Sequence, residues 1–186
     1  MADKKVFVYI VVSQTGTVFS RIIKAISKKD YNHASISFCE DISLMYSFGR
    51  LNPYNPFIGG FVKESADFGT FKRFKNTKIL LVQLPVTVEQ LLNMKNTSEE
   101  MFTNRKNYTY NYLGVFLGAV KKAHKKENSF YCSEFVKHVL EKGKVNGVEN
   151  LQEIIHPMNF LELNDCSVIY SGKLKDYKNY INKSTP

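Results

Sequence analysis

The sequence predicts a single α+β domain over residues 1–186, built around a mostly antiparallel sheet. Residues 6–12 form an apolar run rich in β-branched side chains, which is typical of a buried central strand. Residues 33–38 and 42–48 carry strand patterns around the polar turn at 39–41, and they predict a hairpin. A helical pattern then begins at Cys132. No repeat or linker divides the chain.

The remaining elements follow from local signals in chain order. Apolar residues at helical spacing predict a short amphipathic helix over 18–26. Pro53, Pro56, Gly59 and Gly60 indicate that 49–60 is a long shaped loop, and 78–84 is predicted to be a strand. The sequence 87–90 matches a capping box, so a helix should run from there toward Arg105.

The last third of the chain continues the alternation of helices and strands. An apolar segment with glycines covers 113–120, and the helix from Cys132 should stop at Gly143. A final strand is expected at 167–170. Residues from about 176 to 186 are predicted to be a polar tail.

Composition narrows the class of protein. Hydrophobic residues make up 44% and charged residues 23% of the chain, which excludes a mainly disordered protein. No apolar run approaches the roughly 20 residues of a membrane span, and no signal peptide is recognised. Three cysteines, at 39, 132 and 166, are too few and too widely spaced for a disulfide framework or a paired zinc site. We therefore expect a cytoplasmic protein without a metal or other cofactor.

The charge balance is basic. Lys and Arg number 26 against 17 Asp and Glu, a net charge of +9. The densest cluster, 121–126, has no interleaved aromatic residues for base stacking. We expect a lysine-rich solvated surface, no specific nucleic-acid partner and no stable membrane anchoring.

Cys132 is the strongest candidate for chemistry. It stands where helix signals begin, and the free N–H groups and positive dipole of a first helical turn stabilise a thiolate. The thiolate is the nucleophilic form of cysteine. The alternative is that Cys132 is a small buried hydrophobe, which is a common fate of cysteine.

A cysteine nucleophile needs a base, and four histidines are available. His33 heads a strand, from where its ring can reach a packed helix. His138 lies about 120° around the helix from Cys132, and His124 belongs to the lysine cluster. His156 precedes a proline and is typical of a turn. His33 is the preferred base by elimination.

Three segments appear in a recognisable order: 31–36 (YNHASI), 45–50 (MYSFGR) and 130–136 (FYCSEFV). Together they resemble the circularly permuted branch of the NlpC-type papain-like cysteine hydrolases, in which the histidine strand precedes the cysteine helix. The resemblance implies a papain-like fold of this permuted type, with an antiparallel sheet packed against helices. It also implies a cysteine amidase or peptidase.

In that family Cys132 would attack a carbonyl, and His33 would act as the general base and acid. A third polar group usually orients the imidazole from the strand after the histidine strand. That position falls on Ser47, where relatives often carry a stronger polar group, and Ser47 is equally explained as an ordinary strand serine. The alternatives left open for the orienting group are Glu40, Asp41 and Glu64.

The resemblance also implies an oxyanion hole and a substrate pocket. The N–H of Cys132 is the natural first donor, and a tyrosine upstream, Tyr110 in preference to Tyr112, would supply the second. Arg50 beside the shaped loop could bind a substrate carboxylate, and Glu64 is a second candidate for substrate binding. The alternatives are packed tyrosines and a surface arginine.

These expectations define a cytoplasmic thiol hydrolase. It would cleave an amide bond in a small peptide or a cell-wall-derived fragment. Two other functions remain open on the same fold: an acyltransferase acting on lipid substrates, and a catalytically inactive binding module. The oligomeric state stays open.

Overall fold

A six-stranded antiparallel sheet is the centre of the computed structural model, which describes residues 6–15, 30–119 and 126–184. A separate parallel pair is formed by β6 (Thr109–Tyr110) and β7 (Ser129–Phe130). The predicted α+β class and antiparallel sheet are confirmed. The order of the six strands is β4-β3-β2-β1-β5-β8, with β1 Val6–Gln14, β2 His33–Ser37, β3 Met45–Asn52, β4 Asn55–Glu64, β5 Lys78–Val86 and β8 Ser167–Lys173.

Strand β1 lies in the interior of the sheet, between β2 and β5, as its apolar run predicts. Its residues alternate between two apolar layers because successive side chains of a strand point to opposite faces. Val8, Ile10 and Val12 belong to the larger layer, whereas Tyr9 and Val11 belong to the smaller one. A strand buried on both faces has no polar side, which explains the continuous pattern.

Helices cover both faces of the sheet. The helices are α1 Gly69–Arg73, α2 Val88–Thr103, α3 Tyr112–Ala119, α4 Cys132–Lys142 and α5 Leu174–Ser184. Helices α2 and α4 contribute Met94 and Phe135 to the larger layer, and α1 and α5 contribute Phe71 and Tyr177 to the smaller one. The capping box at the start of α2 is confirmed, since Thr87 and Gln90 exchange main-chain to side-chain hydrogen bonds of 2.9 and 3.1 Å.

The loop predicted over 49–60 is wrong. Strands β3 and β4 continue through it and pair as a hairpin whose turn lies between Asn52 and Asn55. Proline is tolerated here because Pro53 lies in the turn and Pro56 lies on β4, the edge strand of the sheet. The register shifts between Arg50 and Asn52, next to the turn, and from Arg50 back to Met45 the residues of β3 and β4 pair one to one.

The predicted polar tail forms helix α5 over Leu174–Ser184. Its polar residues alternate with an apolar stripe, and Leu174 and Tyr177 are buried against the sheet. A tail that looks hydrophilic by composition can still fold as an amphipathic helix when a sheet face is available to cover.

Two sequence predictions fall on residues outside the described ranges. These are the helix at 18–26 and most of the lysine cluster at 121–126, including His124. Among the helices that the structure does describe, none combines the length and apolar character needed to cross a membrane.

Candidate active site

Cys132 is the first residue of α4, as its sequence context predicts. The carboxylate of Glu134 accepts hydrogen bonds from the N–H of Tyr131 at 3.0 Å and from the side-chain amide of Asn111 at 3.2 Å. Glu134 therefore caps the helix start and ties it to the segment that opens α3. The Cys132 side chain is buried, and its thiol sits at the positive end of the helix.

The short parallel pair β6–β7 brings a tyrosine to the same place. Tyr110 pairs with Phe130, two residues before Cys132. Burial raises the pKa of the Tyr110 hydroxyl well above its ordinary value, and the negative charge of the Cys132 thiolate raises it further. The hydroxyl therefore stays protonated beside the thiolate and is a hydrogen-bond donor.

His33, the first residue of β2, is held by Glu64 at the end of β4. The Nε2 atom of His33 lies 3.1 Å from Oε1 and 3.0 Å from Oε2 of Glu64. The hydroxyl of Ser35 donates to Oε2 of Glu64 at 2.6 Å, which fixes the carboxylate in turn. Because Nε2 faces the carboxylate, Nδ1 is the ring nitrogen left for the thiol.

A glycine makes room for this ion pair. Gly49 lies on β3 between the two partner strands, and a Cβ placed there would stand 3.1 Å from Oε1 of Glu64. The same atom would stand 3.5 Å from Cε1 of His33. A Cβ would crowd the Glu64 carboxylate and would be in van der Waals contact with the His33 ring, so the glycine is explained by close approach rather than by turn geometry.

His33 is positively charged across the neutral range. Burial, partly against the ring of Phe71, by itself lowers its pKa. The charge of Glu64 and the hydrogen bonds with Cys132 and Glu64 outweigh burial and raise the pKa from 6.5 to about 10. The imidazolium is thus stabilised from two sides, by a carboxylate and by a thiolate.

The pKa of the Cys132 thiol is lowered. Burial alone would raise it, but the hydrogen bond and positive charge of His33 reverse that effect. A main-chain hydrogen bond from Ala34 and the hydroxyl of Ser133, 3.9 Å from Sγ, add to the lowering. The structure therefore brings together the thiol of Cys132, the imidazole of His33 and the carboxyl group of Glu64, in an arrangement that favours ionisation of the thiol and protonation of the imidazole.

Ser47 is turned away from the imidazole. Its hydroxyl donates to the main-chain oxygen of Ala34 at 2.7 Å, so it stabilises the β2–β3 pairing. Of the candidates for the orienting group, Glu64 is the one that contacts the ring, whereas Ser47 does not; the hydroxyl of Ser35 also lies 3.4 Å from Nε2. Of the other two alternatives, Asp41 accepts from Ser43 in an exposed turn, and Glu40 interacts with Tyr9.

Arg50 lies beside the two tyrosines upstream of Cys132. Burial lowers the pKa of its guanidinium, whereas the Tyr110 and Tyr112 hydroxyls act in the opposite direction. The rings of Tyr110 and Tyr112 are 4.5 Å apart between centroids. A partly buried cation thus borders the site on the side of Tyr110, where it can interact with a negatively charged substrate group.

The other described cysteines and histidines lie away from this arrangement. Cys39 is exposed in a turn, and the Cys166 thiol donates to the oxygen of Leu161 at 3.5 Å. His138 packs on Phe130 with 5.2 Å between ring centroids. His156 caps a 3₁₀ helix by accepting from the N–H of Met158.

Three supporting residues were missed by the sequence analysis: Ser35, Asn111 and Glu134. Ser35 could have been found, because it stands two residues after His33 and a strand places such residues on the same face. Glu134 could have been recognised as a helix-capping acid three residues after Tyr131. Asn111 has no sequence signal of this kind. Within residues 6–15, 30–119 and 126–184, no group of three or more His, Cys, Asp or Glu side chains is arranged to hold a metal ion.

Comparison with known proteins adds no relative. None of the protein-family models, curated proteins or solved structures compared with the chain matches it.

Proposed function

We propose that the protein is a cysteine hydrolase that cleaves an amide bond, with a papain-like fold of the permuted NlpC type. One observation carries the proposal: the Cys132 thiol and the Glu64 carboxylate flank the same His33 ring. The order of the strand and helix that supply these residues agrees with the family resemblance. A buried cysteine whose thiol pKa is lowered by a neighbouring histidine is the arrangement that nucleophilic catalysis requires.

In the first half-reaction the thiolate of Cys132 attacks the substrate carbonyl carbon, and an electron pair of the C=O bond moves to oxygen. When the tetrahedral intermediate collapses, the C–N bond breaks. The leaving nitrogen takes a proton from the imidazolium of His33. The amine departs and an acyl thioester remains on Cys132.

In the second half-reaction His33, now neutral, accepts a proton from water. The resulting hydroxide attacks the thioester carbonyl and the C–S bond breaks. A carboxylic acid leaves, and the thiolate–imidazolium pair is restored. Glu64 stabilises the imidazolium and holds the ring orientation in both halves, which is the role of an orienting group in a triad.

Arg50 supplies the chemistry for substrate recognition. A guanidinium binds a carboxylate with two parallel hydrogen bonds, and partial burial strengthens that interaction. We therefore assign the substrate as a small peptide or amide that carries a carboxylate near the cleaved bond. A cell-wall-derived peptide fragment meets this description.

Tyr110→Phe should slow turnover of an activated ester probe, p-nitrophenyl acetate, by roughly 100-fold, because one oxyanion donor is lost. Alkylation of Cys132 by iodoacetamide should be unchanged, since it forms no oxyanion at a carbonyl. Tyr112→Phe is the matched control, and it should leave both rates near the wild-type values. An equal loss of ester turnover in the two variants would refute the assignment to Tyr110.

The proposed function is tested by the pH dependence of iodoacetamide labelling, measured site by site by mass spectrometry. Cys132 is expected to label well below pH 8.5, because its thiol pKa is lowered by His33. Burial raises the pKa of the Cys166 thiol, so Cys166 should label only at higher pH. Labelling of Cys132 no faster than of Cys39 and Cys166 at pH 6 would argue against a catalytic cysteine.

The two other functions open from the sequence differ at later steps. An acyltransferase would form the same thioester and pass the acyl group to an acceptor other than water, so analysis of the products distinguishes it. An inactive binding module was plausible because Ser47 would be a weak group for orienting a catalytic imidazole. A carboxylate contacts the imidazole instead, so that argument no longer applies and we prefer the hydrolase.

A further inference from the structure

The β3–β4 turn exposes a group of large apolar side chains, which we call the hairpin tip. It consists of Leu51, Tyr54, Phe57 and Ile58, whose exposed fractions are 55%, 78%, 82% and 47%. Large apolar residues are often partly exposed one at a time, but four of them within eight residues concentrate exposed apolar area at one end of the hairpin. Such a surface indicates an interaction site.

The hairpin tip is held in shape by specific contacts. The side-chain oxygens of Asn52 and Asn55 accept from the N–H groups of Tyr54 and Phe57 at 2.8 and 2.9 Å. Arg73 of α1 donates to the main-chain oxygen of Pro53 at 3.0 Å, and its guanidinium stacks 3.9 Å from the centroid of the Tyr54 ring. These contacts present the apolar side chains outward instead of letting them fold back onto the sheet.

Positive charge surrounds the hairpin tip. Residues 42–63 contain no Asp or Glu, and neither do residues 68–88. Arg73 contacts the tip directly, Lys72 is exposed on the same short helix, and Arg50 lies close enough for Arg73 to lower its pKa further. The surface therefore combines apolar side chains with cations and lacks compensating acids in the two segments that form it.

The hairpin tip leads directly to the candidate active site. Gly59 follows Ile58, and a Cβ on Gly59 would stand 2.6 Å from the Tyr112 hydroxyl and 2.9 Å from Cγ of Tyr110. Burial, and after it the charge of Cys132, raises the pKa of the Tyr110 hydroxyl, so Tyr110 lies near the thiol. A partner bound at the hairpin tip would therefore be held close to Tyr110.

We propose that the hairpin tip docks the protein reversibly on an anionic lipid bilayer. A protruding turn with two aromatic rings, two aliphatic side chains and adjacent cations matches the chemistry of a membrane interface with acidic headgroups. A tip of four residues is small against the 20–30 residues a side of a stable protein interface. Docking would bring the neighbourhood of Tyr110 and Gly59 close to the lipid surface. The proposal stands whether or not Cys132 is catalytic.

The test is flotation with lipid vesicles. The full chain should float with vesicles made of equal parts phosphatidylcholine and phosphatidylglycerol, and it should float far less with phosphatidylcholine alone. Added salt should weaken the association because it screens the cations around the tip. The double variant Tyr54→Ser/Phe57→Ser should lower the association constant at least about tenfold, since two apolar rings no longer enter the interface.

Matched variants separate docking from catalysis and from misfolding. Leu92→Ser replaces a side chain of similar exposure, 52%, on α2, and it should float like the wild type. Cys132→Ala should also float normally, whereas the tip double variant should keep the wild-type alkylation rate of Cys132. The proposal is overturned if the wild type stays with neither kind of vesicle, or if the double variant floats normally. The proposal is also overturned if the tip substitutions abolish self-association of the protein in sedimentation experiments while its flotation with vesicles is unchanged.

Discussion

His33→Ala is expected to slow alkylation of Cys132 at pH 6 by at least about tenfold. The variant removes the hydrogen bond and the positive charge that lower the thiol pKa, and burial, which raises it, remains. A thiol with the ordinary pKa of 9.0 is ionised in about one molecule in a thousand at pH 6. A thiolate of lower pKa is also a weaker nucleophile, which reduces the difference in rate below the difference in ionised fraction.

The measurement is the second-order rate constant for iodoacetamide at Cys132 from pH 5 to pH 10. The variant profile should move to higher pH and approach the wild-type rate only in alkaline solution. His138→Ala is the matched control, because His138 lies on the same helix and packs on Phe130. If His33→Ala and His138→Ala gave the same profile, the thiolate–imidazole pair would be disproved.

Glu64→Gln is expected to produce the second large effect, a lowering of the pKa of His33 from about 10 toward its ordinary 6.5. Burial lowers this pKa, and the charge of Glu64 is the largest of the influences that raise it, so only the interactions with Cys132 would remain to oppose burial. NMR titration of the imidazole measures the change directly. Ester turnover should fall by roughly 100-fold or more, because an uncharged partner no longer stabilises the imidazolium.

The same variant should change how stability depends on pH. A raised histidine pKa contributes stability that is complete below pH 6.5 and is lost as the pH rises through about 10. The difference in the free energy of unfolding between wild type and Glu64→Gln should therefore be larger at pH 6 than at pH 10. Chemical denaturation at several pH values measures it.

Ser47→Ala is the matched control for Glu64→Gln. Its buried hydroxyl donates to the Ala34 carbonyl, so the variant should lose about 1 kcal/mol of stability through a missing hydrogen bond. The pKa of His33 and the labelling profile of Cys132 should not move. A shift of the His33 pKa in Ser47→Ala, with none in Glu64→Gln, would restore the serine as the orienting group.

Local signals were sufficient for the elements that frame the site. Three features were predicted correctly: the apolar run of β1, the capping box at Thr87 and the helix start at Cys132. Each depends only on residues a few positions apart in the sequence. Such signals survive in the sequence because neighbouring residues determine them. They placed the cysteine at a helix N-terminus and the histidine at a strand start.

The hairpin β3–β4 shows where local signals fail. Pro53, Pro56, Gly59 and Gly60 all favour a loop by propensity, yet pairing with β3 imposes a strand through three of these four positions. The prolines are accommodated by a turn and a sheet edge, and Gly59 is required because Tyr110 and Tyr112 pack directly on it. Edge position and tertiary packing override propensity here.

That error concealed the third residue of the site. Placing 49–60 in a loop left the register of β4 undefined, so Glu64 was one acid among three. In the structure Glu64 pairs with Met45 across the hairpin, and this register brings its carboxylate to His33. A resemblance by position favoured Ser47, which the fold uses to bind the Ala34 carbonyl instead.

The sequence by itself determined the class of fold, the central strand and the helix that begins at Cys132, because hydrophobic period and capping residues are local properties. Only the tertiary structure decided that Glu64 is the partner of His33, that Tyr110 lies near Cys132 and that four apolar side chains stand exposed at the hairpin tip. The first two features join residues 31 and 22 positions apart, and the third depends on which surface is left uncovered. Strand register and packing set such distances, and neither is encoded in any single segment.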